Sequence, residues 1–239
     1  MTRRFNRLPF GIAVLLAVAV CNVQFLSSPS AAQQDAPAKK EIKGDPWPLE
    51  TGPVSGKALP TDGEPIMGIY DGREVRFDCP GCKKRFEKNP SRYLLEADKE
   101  IIKRQRPYYA LDVCPLMDEP MIVNGKDTAK SVVYRNRLIR LCCAKCIRRF
   151  ERNPDKVLRG LDKAIKEKQG KNYPLTTCLV MPDVELDKDH MLEIIVCNRL
   201  IRVGSEGCAA KVRANPAIYL KRLDDAWKKS GKKPVESSS

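Results

Sequence analysis

Seven cysteines in this 239-residue chain stand at spacings that could bind metal or form cross-links. In RLCCAKCIRRFERNP (residues 140–154), Cys143 and Cys146 make a C-x-x-C between a strand-like run and a basic helix. The amide dipoles at a helix N-terminus lower a thiol pKa and favour the thiolate, the form that ligates metal. Cys114 stands 29 positions before Cys143, at the mouth of a predicted hairpin, where it can close on the same point. Three thiolates suit Zn(II) or a soft ion such as Cu(I). The sulfurs of Cys114, Cys143 and Cys146 are expected to converge, within about 4 Å of one another given metal–sulfur bonds near 2.3 Å. Met117 and Met181, three residues past Cys114 and Cys178, offer thioethers that would tilt a site towards copper, although methionine is also ordinary core filler.

The same phrase occurs twice more with thiols missing. REVRFDCPGCKKRFEKNPSRYLLEADK (73–99) and RLIRVGSEGCAAKVRANPAIYLKRLDD (199–225) align with RLIRLCCAKCIRRFERNPDKVLRGLDK (137–163). Pro90, Pro154 and Pro216 are 64 and 62 residues apart, a period that fits a repeated small domain. WPLETGPVSG, YALDVCPLMD and YPLTTCLVMP align upstream, so the repeats run over 47–107, 108–171 and 172–230. Three columns emerge: Gly52, Cys114 and Cys178; Cys79, Cys143 and Ser205; Cys82, Cys146 and Cys208. Repeat two alone is complete. Cys79 and Cys82 of repeat one are kept as further candidate ligands. Cys197 falls in a predicted turn tip outside every column, with no ligand role expected. Cys142 should face away from Cys143 if the strand continues through it.

The elements that must position these thiols are legible locally. IMGIY, SVVY and EIIV read as first strands, and REVRF, RLIRL and RLIRV as second strands with alternating apolar residues. Between them lie Asp71-Gly72, Arg135-Asn136 and Cys197-Asn198, where Gly and Asn accept positive φ and close a hairpin. After the knuckle come a short helix and a longer one, with Asn89, Asn153 and Asn215 as caps and the following prolines in the first turn. Tyr93, Leu94 and Ala97, then Val157, Leu158 and Leu161, then Tyr219, Leu220 and Leu223 give each long helix a core-facing stripe. The fold class is therefore α+β: three tandem units, each a hairpin, a cysteine knuckle and two helices. A unit of about 60 residues is marginal alone and needs its siblings, a metal or a disulfide.

Cys114, Pro115, Cys143, Cys146, Phe150, Asn153 and Pro154, with Pro53, Cys79, Cys82, Phe86, Asn89 and Pro90 in repeat one, carry a resemblance to the YHS and TRASH-like family of small metal-associated domains. It extends over most of 47–230. The resemblance implies small treble-clef-like units and a role in heavy-metal sensing, trafficking or resistance.

The N-terminus bears on the compartment. Arg3, Arg4 and Arg7 precede an apolar run of 13 residues, Leu8 to Val20, and Ser30-Ala31-Ala32 resembles a cleavage site. This is the pattern of a signal peptide over 1–32 and implies a periplasmic or secreted protein. The run is short of the roughly 20 residues that span a bilayer, and no later stretch is apolar enough for a stable membrane span in the mature chain. Lipid anchoring at Cys21 is disfavoured by Val20, where a small residue would be expected. Residues 33–46 and 231–239 are polar and read as a disordered leader and tail. The formal net charge is +14. Basic residues interleaved with Asp and Glu fit solvated helix faces, and export disfavours nucleic acid, leaving an acidic envelope protein or polymer as the partner that this charge could attract.

An oxidising compartment also favours disulfides. Cys178 could pair with Cys208, where Ser205 removes a competitor, and Cys79 with Cys82. Nine cysteines remain without Cys21, an odd number, so at least one is free, metal-bound or intermolecular. Neither C-x-x-C is followed by His, which excludes c-type haem attachment. His190, the single histidine, is expected to be solvated. No phosphate loop or nucleophile elbow appears, so catalysis is not expected. The functional expectation is an exported, non-enzymatic protein binding Zn or Cu(I). The alternatives are a disulfide-stabilised structural or adaptor protein and a thiol–disulfide redox module.

Overall fold

The computed structural model describes residues 44–61, 65–187 and 189–235. The signal-peptide segment 1–32 with Cys21, the leader before residue 44 and the tail from residue 236 lie outside the described residues. Over the described residues the chain is mixed α+β and runs hairpin, short helix, long helix three times. Repeat one has β1 (Ile66–Tyr70), β2 (Arg73–Phe77), α1 (Pro80–Lys88) and α2 (Pro90–Gln105). Repeat two has an additional short hairpin, β3 (Ile122–Val123) with β4 (Lys126–Asp127), before β5 (Lys130–Tyr134), β6 (Arg137–Leu141), α3 (Ala144–Arg152) and α4 (Pro154–Lys171). Repeat three has β7 (Leu192–Val196), β8 (Arg199–Val203), α5 (Glu206–Ala214) and α6 (Pro216–Ser230). Each sheet is a two-stranded antiparallel hairpin. No helix among the described residues is long and apolar enough to cross a membrane.

The three main hairpins close where the turn chemistry predicts. Asp71 and Gly72 have φ of 52° and 74°, Arg135 and Asn136 49° and 69°, and Cys197 and Asn198 50° and 62°. Two successive left-handed residues give the tight turn whose twist matches that of the strands. Proline occupies the first turn of each long helix. The expected asparagine cap is made only in repeat one, where Asn89 Oδ1 accepts from the Arg92 amide. Asn153 and Asn215 make no side-chain cap.

Two-stranded hairpins are marginal alone. Here the hairpins of repeats two and three are each covered by the long helix of the repeat before. α2 packs on β5 and β6, and α4 packs on β8. The ends of these helices carry a recurring clamp. Gln105 donates to the Asn136 carbonyl at 2.7 Å and accepts from the Leu138 amide at 2.9 Å. Gln169 repeats this with the Asn198 carbonyl at 2.9 Å and the Leu200 amide at 2.8 Å, and also donates to the Tyr108 carbonyl. Both glutamines are almost fully buried. The turn asparagines answer in the other direction: Asn136 Oδ1 accepts from Arg73 Nε and Asn198 Oδ1 from Arg137 Nε, each at 2.7 Å. These arginines also pair with the long helix of their own repeat, as Arg73–Asp98 and Arg137–Asp162, and Arg199–Asp224 matches them in repeat three. Arg199 and Arg76 link repeat three with repeat one, reaching the Arg104 carbonyl and the Arg213 and Ala214 carbonyls respectively. The siblings are thus joined through satisfied polar groups as well as apolar contact. Repeats two and three share one buried core, whereas repeat one keeps its own around Trp47, Phe77, Phe86 and Ile101.

Residues 44–46, expected in the leader, belong to the fold. The Asp45 amide donates to the Arg135 carbonyl and its carboxylate accepts from the Cys197 amide at 2.6 Å. Pro46 is buried, and its carbonyl receives the Cys197 thiol. Gly44 passes so close to Arg135 that a Cβ on it would lie 2.4 Å from that residue's Cβ. The leader boundary therefore falls before Gly44, because this segment supplies partners to two hairpin tips that would otherwise be buried without them. Residues 231–235 of the expected tail carry neither helix nor strand.

Candidate metal centres

Each knuckle forms where a second strand ends and a short helix begins. The first position of the C-x-x-C pattern occupies the N-cap. Cys79 Sγ accepts from the Cys82 amide at 3.0 Å, and Ser205 Oγ accepts from the Cys208 amide at 3.2 Å. The serine thus keeps the capping bond while giving up the thiol. Cys143 is the exception: its thiol lies near enough to the Cys146 amide to be influenced by it but does not meet it at capping geometry. The first-column residues sit in a tight loop opposite, closed by the bridges Thr51–Ala58, Val113–Pro120 and Thr177–Glu185.

In repeat two the sulfurs of Cys114, Cys142 and Cys146 lie within 4.8 Å of one another. Cys142 Sγ is 3.7 Å from Cys146 Sγ. Two sulfurs bound to one ion at tetrahedral angles would be about 3.8 Å apart given metal–sulfur bonds of 2.3 Å. The spacing therefore suits a shared ion, and is far longer than the roughly 2.05 Å of a disulfide. Cys114 and Cys146 meet as the column spacing predicts, but Cys142 supplies the third thiol of this group in place of Cys143. The strand ends at Leu141, the backbone bends at Cys142, and the alternation that would have turned its side chain away lapses. A doubled cysteine at the strand end is the signal in the sequence that points to it.

The electrostatics of the four neighbouring thiols are divided. Burial pushes the Cys142 thiol well up, and the thiols of Cys114, Cys146 and Cys143 add to this. Cys146 is also raised, again first by burial. Burial acts in the same sense on Cys114, but the amides of Cys142 and Leu116 and the two facing thiols outweigh it and hold that group below the ordinary range. The Cys146 amide, with the Cys146 thiol, lowers Cys143. Such a cluster shares its protons, because like charges this close oppose joint ionisation. A cation would relieve that opposition. Met117, the possible thioether, is 50% exposed, and its Sδ accepts from Arg149 Nη1.

Repeat one gathers a different set. Asp78, Cys79 and Cys82 place one ligand atom each within 4.8 Å of one another. Asp78 stands at the position of Cys142, a residue that the column pattern passes over. Cys82 Sγ lies 3.5 Å from Asp78 Oδ2 and 3.5 Å from Arg85 Nη2. Among the described residues these are the two groups of three potential metal donors. In repeat three Gly204 and Ser205 leave Cys178 and Cys208 as the two thiols; burial would raise Cys178, but amides of Met181, Gly204 and Val180 hold it below the ordinary range. The nine described cysteines are all free, so neither Cys178–Cys208 nor Cys79–Cys82 is cross-linked. Cys197 is fully buried at its turn, away from both groups, with its thiol raised by burial. His190 is exposed, with Nδ1 against the Asp187 carboxylate.

Compared with known proteins, the chain matches no family model, and no curated protein or solved structure matches it significantly.

Proposed function

We propose that this is an exported, non-enzymatic metal-binding protein whose principal site is the thiol cluster of repeat two, taking Zn(II) or Cu(I). The observation that carries the reading is the convergence of Cys114, Cys142 and Cys146 with a sulfur–sulfur spacing of 3.7 Å, the separation that two ligands of one ion adopt. Three sulfurs suit Cu(I), and they suit zinc with the fourth position left to water or an incoming donor. Hairpin, knuckle and helices in this order support a treble-clef-like description and the resemblance to YHS and TRASH-like domains. Metal trafficking or resistance is the role consistent with that resemblance. Exposed Lys145, Arg148, Arg149 and Arg152 on α3 would offer an acidic envelope protein or polymer a surface near the site.

The test is metal analysis and a free-thiol count on protein isolated from an oxidising compartment. Bound zinc or copper is expected, with chelator removing it, exposing thiols and lowering Tm, because metal-binding free energy is folding free energy in so small a unit. If the isolated protein carries no metal and chelator alters neither Tm nor thiol count, the reading fails and a disulfide-stabilised adaptor replaces it.

A further inference from the structure

Repeat one has no first-column cysteine, and by column counting it is a decayed copy of repeat two. Its geometry says otherwise. A Cβ built on Gly52 would lie 2.8 Å from Asp78 Oδ1, so the carboxylate fills the space that a side chain at the first column would enter. A cysteine at 52 and this placement of Asp78 exclude one another. Asp78 Oδ1 is buried and meets no donor at full hydrogen-bond geometry, while Ser55, the Asp78 amide and Cys82 lie close enough to favour the ionised carboxylate. An ionised carboxylate with one buried oxygen left unbonded has a lone pair free for a cation. The other oxygen is 3.5 Å from Cys82 Sγ. An oxygen and a sulfur bound to one zinc-like ion at about 2.0 and 2.3 Å would be roughly 3.5 Å apart at a tetrahedral angle.

We infer that repeat one holds a second metal site of different selectivity, in which Asp78, Cys79 and Cys82 bind a borderline divalent cation of the zinc or cobalt(II) class and leave one coordination position for water or an incoming donor. This inference shares with the proposed function the premise that the knuckle thiols act as ligands. The difference in selectivity follows from donor chemistry. Carboxylate oxygen suits harder divalent ions and is a poor ligand for Cu(I), whereas an all-thiolate set suits either zinc or Cu(I). Charge agrees. One carboxylate and two thiolates around a divalent ion leave a single negative charge, and Arg85, with Nη2 at 3.5 Å from Cys82 Sγ, is placed to balance it. The Cys79 cap bond is compatible with ligation, since one sulfur can accept an amide and bind a metal with a different lone pair.

The experiment uses reduced, metal-free full-length protein titrated with Co(II), whose visible ligand-field and near-ultraviolet sulfur charge-transfer bands report tetrahedral geometry and thiolate ligation. Repeat two is first disabled by Cys142→Ser with Cys146→Ser. The chain should still bind one Co(II) per molecule at repeat one, displaced by Zn(II) at equal buffered free-ion concentration. Asp78→Asn should weaken that site at least about tenfold, a floor set by the loss seen when a group that merely supports a ligand is removed. Cys79→Ser should remove a sulfur band while the fold survives, because Ser205 fills the same cap in repeat three. A repeat-two-disabled chain that binds no Co(II), or binding insensitive to either Asp78→Asn or Cys79→Ser, would overturn the inference. The reciprocal chain, Cys79→Ser with repeat two intact, reads the principal site alone, so failure there counts against the proposed function and not against this site.

Discussion

Cys142 and Cys143 are adjacent in sequence and should be far from equivalent in metal binding. Cys142 belongs to the group of three sulfurs within 4.8 Å of one another, and its sulfur is 3.7 Å from that of Cys146. Structural zinc in small units contributes about 10–16 kcal/mol over four ligands, so one thiolate is worth roughly 3 kcal/mol, or about two decades of affinity. Cys142→Ser should therefore raise Kd about a hundredfold. Cys143→Ser installs the residue type that repeat three carries at Ser205, whose hydroxyl caps its helix through the Cys208 amide at 3.2 Å. The substitution should cost less than about tenfold in affinity and should stabilise the metal-free chain by up to about 1 kcal/mol through the gained cap. Competition with a chromophoric chelator gives the affinities, and urea denaturation with and without chelator gives the stabilities. If Cys143→Ser loses as much metal affinity as Cys142→Ser, or more, the placement of the ligands is wrong.

Two further expectations concern the frame that holds the site. Gln169→Leu strands two buried carbonyls and the Leu200 amide, at about 1–3 kcal/mol for each group left unpaired. The loss measured by urea denaturation should thus reach about 3 kcal/mol or more and exceed that of Gln105→Leu, which strands one carbonyl and one amide; equal, small losses would show the clamps to be incidental. Burial raises the Asp45 carboxyl above its ordinary 3.8, against the pull of Arg137 and the Cys197 amide. The folded state then holds the proton more tightly than the unfolded state, so this group subtracts stability as pH rises from the unfolded pKa through the folded one. Asp45→Asn, which keeps an acceptor for the Cys197 amide, should raise Tm near neutral pH, with the advantage fading in acid; an advantage that does not change with pH would remove burial of the carboxylate as its cause.

How much of this was legible in the sequence depended on the range of the interaction. The hairpin turns, the strand pairs and the two helices of each repeat follow from local preferences: left-handed φ at Gly and Asn, alternation along REVRF, RLIRL and RLIRV, and proline in the first turn of each long helix. Repetition made these signals readable three times over, and the apolar stripes ending at Ala97, Leu161 and Leu223 pointed to the buried faces. The same columns brought Cys114 and Cys146 together correctly. They failed at one residue because strand alternation is a rule about continuing strands, and whether β6 ends at Leu141 or at Cys142 is decided by how the knuckle turns into α3.

Asp78 escapes the sequence pattern for a related reason. A pattern built on cysteine cannot register an oxygen donor, and only the clash between Asp78 and a side chain at Gly52 reveals that the two positions share one space. The buried clamps of Gln105 and Gln169 and the docking of Asp45 and Pro46 were equally hidden, since each joins segments far apart along the chain whose proximity exists only after the units have packed. Local backbone chemistry settled the three repeated hairpins and helix pairs from the sequence by itself, though the short β3–β4 hairpin of repeat two was not among the expected elements. Which side chains share a site was decided by tertiary structure, because volume exclusion and the satisfaction of buried polar groups act between segments that are distant along the chain.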